Sequence, residues 1–206
     1  MTDNPYNRPH HPLLIVISGP SGVGKDTISR LLMESRNENY YFVVTATTRP
    51  PREGEIDGYD YFFVTHDEFA RMIEADELLE YAIVYNDYKG VPKQQIRDAL
   101  ASGKDVIMRL DAQGAATIHR LVPDGVFIFL MAESEEAMIQ RLRERKSETA
   151  EGLNLRIATA RQEMKRIHEF DYCVVNAQAR QGETVATIKA IITAEHQRVD
   201  RQPIRL

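Results

Sequence analysis

The sequence predicts an α/β fold in which a parallel sheet is flanked by helices on both faces. Short continuous apolar runs, typical of strands buried on both sides, occur at residues 13–17, 105–110 and 125–130. Segments with the apolar spacing of helices alternate with these runs along the chain. With 206 residues, of which 43% are apolar, the chain suits a single domain, at 13–206.

The remaining elements are predicted from local signals, in order along the chain. After the second strand, residues 45–91 break the alternation and are rich in turn-forming and β-prone residues, which predicts an insert of mixed β structure. Within it, Thr65 and Glu68 predict a capping box at the start of a short helix, and Ser134 predicts a later helix start. Residues 1–12 are expected to be a short disordered lead-in. Strands are predicted at 13–17, 40–45, 78–85, 105–110, 125–130 and 172–175, and helices at 27–35, 92–102, 112–120, 155–169 and 183–198.

Composition and charge exclude several classes of function. The net charge of −5 argues against a general nucleic-acid binder. No apolar run is long enough to span a bilayer, and the first 12 residues lack the features of a targeting segment, so we expect a cytoplasmic protein. The single cysteine, Cys173, lies in an apolar run, and we expect it to be a small buried residue.

A glycine-rich loop follows the first strand and precedes the first helix. Its residues match the first seven positions of the phosphate-binding pattern G-x-x-x-x-G-K-[ST], as Gly19, Pro20, Ser21, Gly22, Val23, Gly24 and Lys25. Backbone N–H groups and the helix N-terminus would bind phosphate oxygens, and Lys25 would contact the β and γ phosphates of ATP. This context predicts a P-loop NTPase-type sheet. The eighth position holds Asp26 instead of Ser or Thr, and its carboxylate is a candidate ligand for Mg²⁺.

A second informative stretch runs from Thr48 to Tyr61. Arg49 and Arg52, three residues apart in a proline-rich loop, offer two guanidinium forks for one phosphate, and Tyr61 adds a hydroxyl donor. On this stretch alone, a charged surface loop is an equally good interpretation.

Taken together, the motifs resemble those of the guanylate kinase family over about residues 13–176. The further motifs that carry the resemblance are Leu79-Glu80-Tyr81-Ala82, Leu110-Asp111-Ala112-Gln113-Gly114 and Arg141-Leu142 with Arg145 and Glu148-Thr149. The resemblance implies Mg²⁺-dependent transfer of the γ-phosphoryl group of ATP to GMP, with dGMP as a further acceptor to consider. It also implies a core at 13–44, 92–137 and 157–206, a GMP-binding insert at 45–91, a helical lid at about 138–156, and a monomer or homodimer.

The resemblance assigns roles to matching positions on the GMP side. Arg49, Arg52 and Tyr61 would hold the GMP phosphate, while Glu80 and Asp111 would bind guanine with help from Thr45. Guanine presents two donors, N1–H and the amino group, that carboxylates accept and that adenine does not present together. An exposed strand carboxylate is the alternative interpretation of Glu80. For Asp111 it is a helix N-cap, which is compatible with the guanine role.

On the ATP side, the resemblance assigns the lid and donor arginines to Arg141, Arg145 and Arg156, which would stabilise the charge of the transferring group. A basic helix face in solvent is the competing interpretation of the neighbouring Arg143 and Lys146. Asn176 matches a position associated with the adenine site.

The chain departs from the family's usual pattern at two places. Lys89 stands where a phosphate-contacting Tyr is usual, followed by Gly90, and we expect both in the GMP site; Val91 replaces a hydroxyl residue. Asp26 is an acidic residue at a position where Ser or Thr is usual, and Arg109 stands at a position where an acidic residue is usual. We hypothesise that Asp26 and Arg109 compensate each other, by an ion pair or by Asp26 taking the metal side. Independent drift is the alternative.

This combination is similar to guanylate kinases of plant organelles and some bacteria, and we favour a bacterial cytosolic enzyme. Two rival functions remain at this point. A kinase for another nucleotide would not need the carboxylates Glu80 and Asp111. A non-catalytic guanylate kinase-like module that binds protein partners would not need Lys25 and its glycines.

Overall fold

The structure, a computed structural model, describes residues 10–34, 39–84, 86–144 and 150–206. Its strands are β1 Leu14–Ser18, β2 Tyr40–Phe42, β3 Ala46–Thr47, β4 Phe62–Phe63, β5 Leu78–Val84, β6 Asp87–Pro92, β7 Asp105–Arg109, β8 Val126–Met131 and β9 Tyr172–Val175. Its helices are α1 Lys25–Glu34, α2 His66–Glu74, α3 Lys93–Ala101, α4 Ala112–Leu121, α5 Glu135–Arg143, α6 Ala150–Met164 and α7 Gln181–His196, with a 3₁₀ turn at Ile167–Glu169.

The core sheet has five parallel strands in the order β2-β7-β1-β8-β9. The central strand β1 is buried along its whole length because successive side chains point to opposite faces, and both faces are covered. Ile15 and Ile17 pack with residues of α1 and α7. Leu14 and Val16 pack with residues of α3 and α4. The predicted class, a parallel sheet flanked by helices, is confirmed.

A second, mixed sheet has the strand order β4-β3-β6-β5 and lies between residues 46 and 92. β3 pairs with β4 in parallel and with β6 antiparallel, and β5 pairs with β6 antiparallel. Helix α2 packs on this sheet through Phe69, and the predicted capping box of Thr65 and Glu68 is present. β6 was not predicted, because the sequence around Pro92 signals mainly the start of α3, for which Pro92 is the N-cap.

Two of the local predictions that differ from the structure concern α6 and Cys173. α6 spans 150–164, earlier than the predicted 155–169, since residues 167–169 form a separate 3₁₀ turn. Cys173 is exposed, so its predicted burial is wrong: in the edge strand β9, Val174 faces the core cluster beside α7, and its neighbours face the other way. Residues 145–149 of the predicted lid, including Arg145 and Lys146, and residues 1–9 of the lead-in lie outside the described part of the chain. Among the helices described, none combines the length and apolarity needed to cross a membrane.

Candidate active site

An open cleft lies between the carboxyl ends of β1 and β7 and the second sheet. The cleft brings together residues from the phosphate loop, the second sheet and helix α6. It is lined by Ser21, Gly22, Gly24, Lys25, Asp26, Thr45, Arg52, Tyr61, Glu80, Ala82, Lys89, Arg109, Leu110, Asp111, Arg156 and Glu163. Loops at the carboxyl ends of parallel strands are the usual location of ligand sites in such sheets.

The phosphate loop is packed so closely on its surroundings that two of its glycines leave no room for a side chain. Gly19 has φ +139°, and a Cβ there would lie 2.1 Å from the carbonyl oxygen of Leu130 in β8. Gly24 has φ +90°, and a Cβ there would lie 2.6 Å from Nδ2 of Asn176. α1 begins directly after Gly24, so its N-terminal N–H groups face the loop.

Lys25 is held against its own loop. Its ammonium donates hydrogen bonds to the carbonyl oxygens of Gly19 and Pro20. Burial lowers the pKa of Lys25, and the negative charge of Glu163 is the largest effect that opposes this. Glu163, in α6, also accepts a hydrogen bond from the backbone N–H of Ser21 at 3.2 Å. Sequence reasoning missed Glu163, because it lies in a polar stretch of helix, 142 residues from Ser21.

Asp26 and Arg109 form an ion pair, with Nη1 of Arg109 at 3.2 Å from Oδ1 of Asp26. Arg109 also donates to the carbonyl oxygen of Asp60 at 3.2 Å, and its guanidinium carbon lies 4.9 Å from the centre of the Tyr61 ring. Burial would lower the pKa of Arg109, but the charge of Asp26 raises it overall. The hypothesised ion pair is confirmed, and Arg109 connects the phosphate loop to the 57–61 segment.

Of the residues predicted to contact the GMP phosphate, Arg52, Tyr61 and Lys89 line the cleft, whereas Arg49 does not. The guanidinium of Arg49 donates to both carboxylate oxygens of Glu55, at 2.7 and 2.6 Å, and lies 4.8 Å from the centre of the Tyr61 ring. Burial acts to raise the pKa of Glu55, and the hydrogen bonds from Arg49 and Arg52 lower it overall. The guanidinium of Arg49, which the sequence assigns to phosphate, therefore binds the carboxylate of Glu55 in the same loop.

Two carboxylates meet at the far side of the cleft. Glu80 is only 6% exposed, so the alternative of an exposed strand carboxylate is wrong. Burial, together with the nearby charge of Asp111, raises the pKa of Glu80 to about 7. Asp111 caps α4 by accepting from the N–H groups of Gln113 and Gly114 at 3.0 and 2.9 Å, and it lines the cleft as well. The N-cap interpretation of Asp111 is confirmed, and its place in the lining of the cleft is compatible with the guanine role, which stays a prediction. Thr45 lines the same cleft.

Residues 90 and 91 pack in the interior instead of lining the cleft. A Cβ at Gly90 would lie 2.8 Å from the Phe69 ring and 2.9 Å from Leu78, so this glycine makes room for α2 on the second sheet. Val91 is completely buried in the cluster that includes Ile96 of α3. The predicted GMP contact of Gly90 therefore has no counterpart in the lining of the cleft.

Asn176 and Arg141 lie behind the phosphate loop. The amide of Asn176 donates to the carbonyl oxygen of Val23 at 2.7 Å and accepts from the hydroxyl of Thr184 at 3.1 Å. Arg141 donates to Glu133 at 2.6 Å and to the carbonyl oxygen of Asn176 at 3.0 Å. Neither residue lines the cleft, and the contacts of Asn176 favour support of the loop over contact with adenine.

The donor set fits a metal ion bound mainly through a nucleotide. No group of three or more His, Cys, Asp or Glu side chains that could hold a metal occurs within the described ranges. The carboxylate of Asp26, which lines the cleft and whose side chain is 48% exposed, is the candidate ligand that the sequence predicts. Mg²⁺ typically takes one or two carboxylates and completes its shell with phosphate oxygens and water, so one such ligand is sufficient.

Comparisons with known proteins agree with this geometry. The family model described as guanylate kinase matches residues 11–195. The chain is 51% identical to "Guanylate kinase 2, chloroplastic/mitochondrial" of Oryza sativa subsp. japonica over 206 residues, which is all of this chain and 72% of that protein. It is 44% identical to the guanylate kinase of Clostridium tetani over 189 residues, 92% of this chain and 89% of that protein. A crystal structure of guanylate kinase from Anaplasma phagocytophilum superposes with a TM-score of 0.78 at 30% identity, covering 94% of this chain and 90% of the other. The chain belongs to the guanylate kinase family.

Proposed function

We propose that the chain is a guanylate kinase, which transfers the γ-phosphoryl group of ATP to GMP and gives ADP and GDP. One observation carries the proposal: two carboxylates, the buried Glu80 and the half-buried Asp111, face the same cleft as the phosphate loop with Lys25. One cleft would thereby hold both the triphosphate and a base whose hydrogen-bond donors lie next to each other. The family relatives, which are named guanylate kinases, support the same activity.

Glu80 and Asp111 would select guanine through hydrogen bonding. Each carboxylate can only accept when ionised, and the N1–H and amino group of guanine are adjacent donors. A base without these donors would leave the buried carboxylate of Glu80 unpaired, which a site cannot tolerate without a large loss of affinity. Thr45, which also lines the cleft, would assist.

The phosphoryl transfer needs positioning and charge neutralisation more than proton chemistry. The attacking oxygen of GMP is already anionic, so no general base is required. Lys25 and the loop N–H groups would hold the ATP phosphates, and Arg52, Lys89 and Tyr61 would hold the GMP phosphate. Arg156, on the α6 side, would stabilise charge on the group in transit, and Arg49 would join the acceptor side on leaving Glu55.

A divalent metal ion accompanies ATP in this proposal, and Mg²⁺ is the candidate. When bound, it would offset negative charge on the β and γ phosphates. Asp26 would hold it, which requires Asp26 to divide its charge between the metal and Arg109. The cytoplasmic location, the choice between monomer and homodimer, and the absence of nucleic-acid partners stay predictions.

A coupled assay of ADP release with GMP, dGMP, AMP and UMP as acceptors tests the proposal. We expect GMP to be preferred, and Glu80→Gln to lower kcat/KM for GMP by about 10- to 100-fold, as for the loss of a charged hydrogen-bond pair. Glu77→Gln, at an exposed position nearby, is the matched control and should leave the rate unchanged. No ADP release with any acceptor would contradict the proposal and favour the non-catalytic module; preference for AMP or UMP would favour the other kinase.

A further inference from the structure

Helix α6 presents one acidic and one basic side chain to the cleft. Arg156 and Glu163 both line it. Their separation of seven residues is two turns, which places both side chains on the same face of the helix. A cation on this face is expected opposite a triphosphate. An anion there is not, because it would repel the phosphates.

Glu163 engages the groups that the loop offers to phosphate. Its Oε2 accepts from the N–H of Ser21 at 3.2 Å. It also provides the largest attractive charge acting on the ammonium of Lys25. Burial raises the pKa of Glu163, and the charge of Lys25 and the hydrogen bond from Ser21 act against this rise. The contact joins residues 142 positions apart, so it fixes α6 against the phosphate loop.

A phosphate oxygen and the Glu163 carboxylate would use the same N–H of Ser21, and both would be attracted by the ammonium of Lys25. One N–H cannot make a well-aligned hydrogen bond to both, and two anions sharing one cation repel each other. We propose that Glu163 is an internal anion that competes with the polyphosphate of the nucleotide for the loop, and that nucleotide binding displaces it. The proposal rests on the proposed function, since it takes ATP as the ligand of this loop.

Displacement of Glu163 has a consequence for Arg156. Because the two residues share one face of α6, a shift of the helix that withdraws the carboxylate from Ser21 would also move the guanidinium two turns earlier, whereas a rotation of the Glu163 side chain alone would not. Until the triphosphate arrives, Glu163 occupies the N–H of Ser21.

The variant Glu163→Gln separates charge from shape. The amide oxygen of Gln can still accept from the N–H of Ser21, while the negative charge is removed. We expect ATP, and inorganic tripolyphosphate as the probe without a base, to bind about three- to tenfold more tightly by calorimetry, as when a competing state is removed. Adenosine, which lacks phosphate, should bind as it does to the wild type. Glu151→Gln, on the exposed side of the same helix, is the control and should change neither affinity.

Unchanged or weaker binding of both polyphosphates to Glu163→Gln, with an unchanged unfolding temperature, would overturn the proposal. A structure of the wild-type protein with ATP is the second test, independent of whether the variant folds well. Glu163 should lie beyond hydrogen-bond distance of the Ser21 N–H, and a retained contact beside bound phosphates would also overturn it. If the wild type binds neither ATP nor tripolyphosphate, the proposed function itself fails. If the wild type phosphorylates GMP but the variant gains no affinity, only the competition fails.

Discussion

Replacing Glu80 by Gln should make the protein more stable at alkaline pH while impairing GMP binding. Folding raises the pKa of Glu80 from 4.5 to about 7, first by burial and then by the charge of Asp111. Between these values the folded protein holds more protons than the unfolded chain, so its free energy of unfolding falls as pH rises. Each pKa unit is worth about 1.4 kcal/mol, so the full penalty of ionised Glu80 approaches about 3 kcal/mol at pH 8.

Urea unfolding at pH 5 and pH 8 checks the sign and the size of this effect. At pH 5 the carboxyl is largely protonated in the folded protein, and the penalty is only about 1 kcal/mol. The advantage of Glu80→Gln over the wild type should therefore grow by about 2 kcal/mol between pH 5 and pH 8. Glu77→Gln, whose side chain is exposed, should show no such dependence. An advantage of Glu80→Gln that stays constant or shrinks with rising pH would refute the reasoning.

The same titration has a functional counterpart. Guanine donors require an ionised acceptor, so KM for GMP should fall as pH rises through about 7, where Glu80 loses its proton. The penalty in stability is thus tied to the group that is expected to give specificity, as in other sites that hold a strained or desolvated residue. In Glu80→Gln this part of the pH dependence should be absent.

Three further predictions concern charge and the loop. Glu55→Gln should lower the free energy of unfolding by about 2 kcal/mol, because Arg49 loses its ionised partner, and GMP should raise the unfolding temperature more in this variant than in the wild type. The double variant Asp26→Ser with Arg109→Asp should lose about 1 kcal/mol less free energy of unfolding than the two single variants lose in sum. The coupling is this small because Asp26 is half exposed. Gly24→Ala should destabilise by about 2 kcal/mol and abolish ATP binding in calorimetry, whereas alanine at Gly182, a helical glycine with open space around it, should not.

The sequence predicts those parts of the fold whose signals are local. The run before Gly19 and the glycines themselves specify strand, loop and helix within about twenty residues, and the structure confirms all three. Thr65 and Ser134 mark helix starts because capping depends on hydrogen bonds within one turn. β6 is different: its residues become a strand through pairing with β3 and β5, and no short-range pattern reports that pairing.

The candidate site shows the same division. The cleft residues Lys25, Tyr61 and Glu80 belong to recognisable motifs, and the structure brings them together. The ion pair of Asp26 and Arg109 could be predicted because two unusual charges occur at positions expected to converge on one ligand. Glu163 could not, since α6 reaches the loop only through the packing of the whole domain. The position of Asn176 beneath the loop could not be predicted either, because its contact with Val23 joins two segments that are far apart in the sequence.

The internal carboxylates explain how an acidic protein can keep a site for polyanions without a strongly positive cleft. Two cations expected at phosphates form ion pairs with carboxylates, Arg49 with Glu55 and Arg109 with Asp26, and Lys25 lies in the attractive field of Glu163. An intramolecular anion has a high effective concentration, so a single small anion from solution competes with it poorly. A nucleotide presents several phosphate oxygens at fixed spacing, and its base and sugar add contacts that a carboxylate lacks. A nucleotide therefore gains more contacts when it displaces these carboxylates than a single small anion does. Selectivity for nucleotides over simple anions follows from this difference in binding free energy.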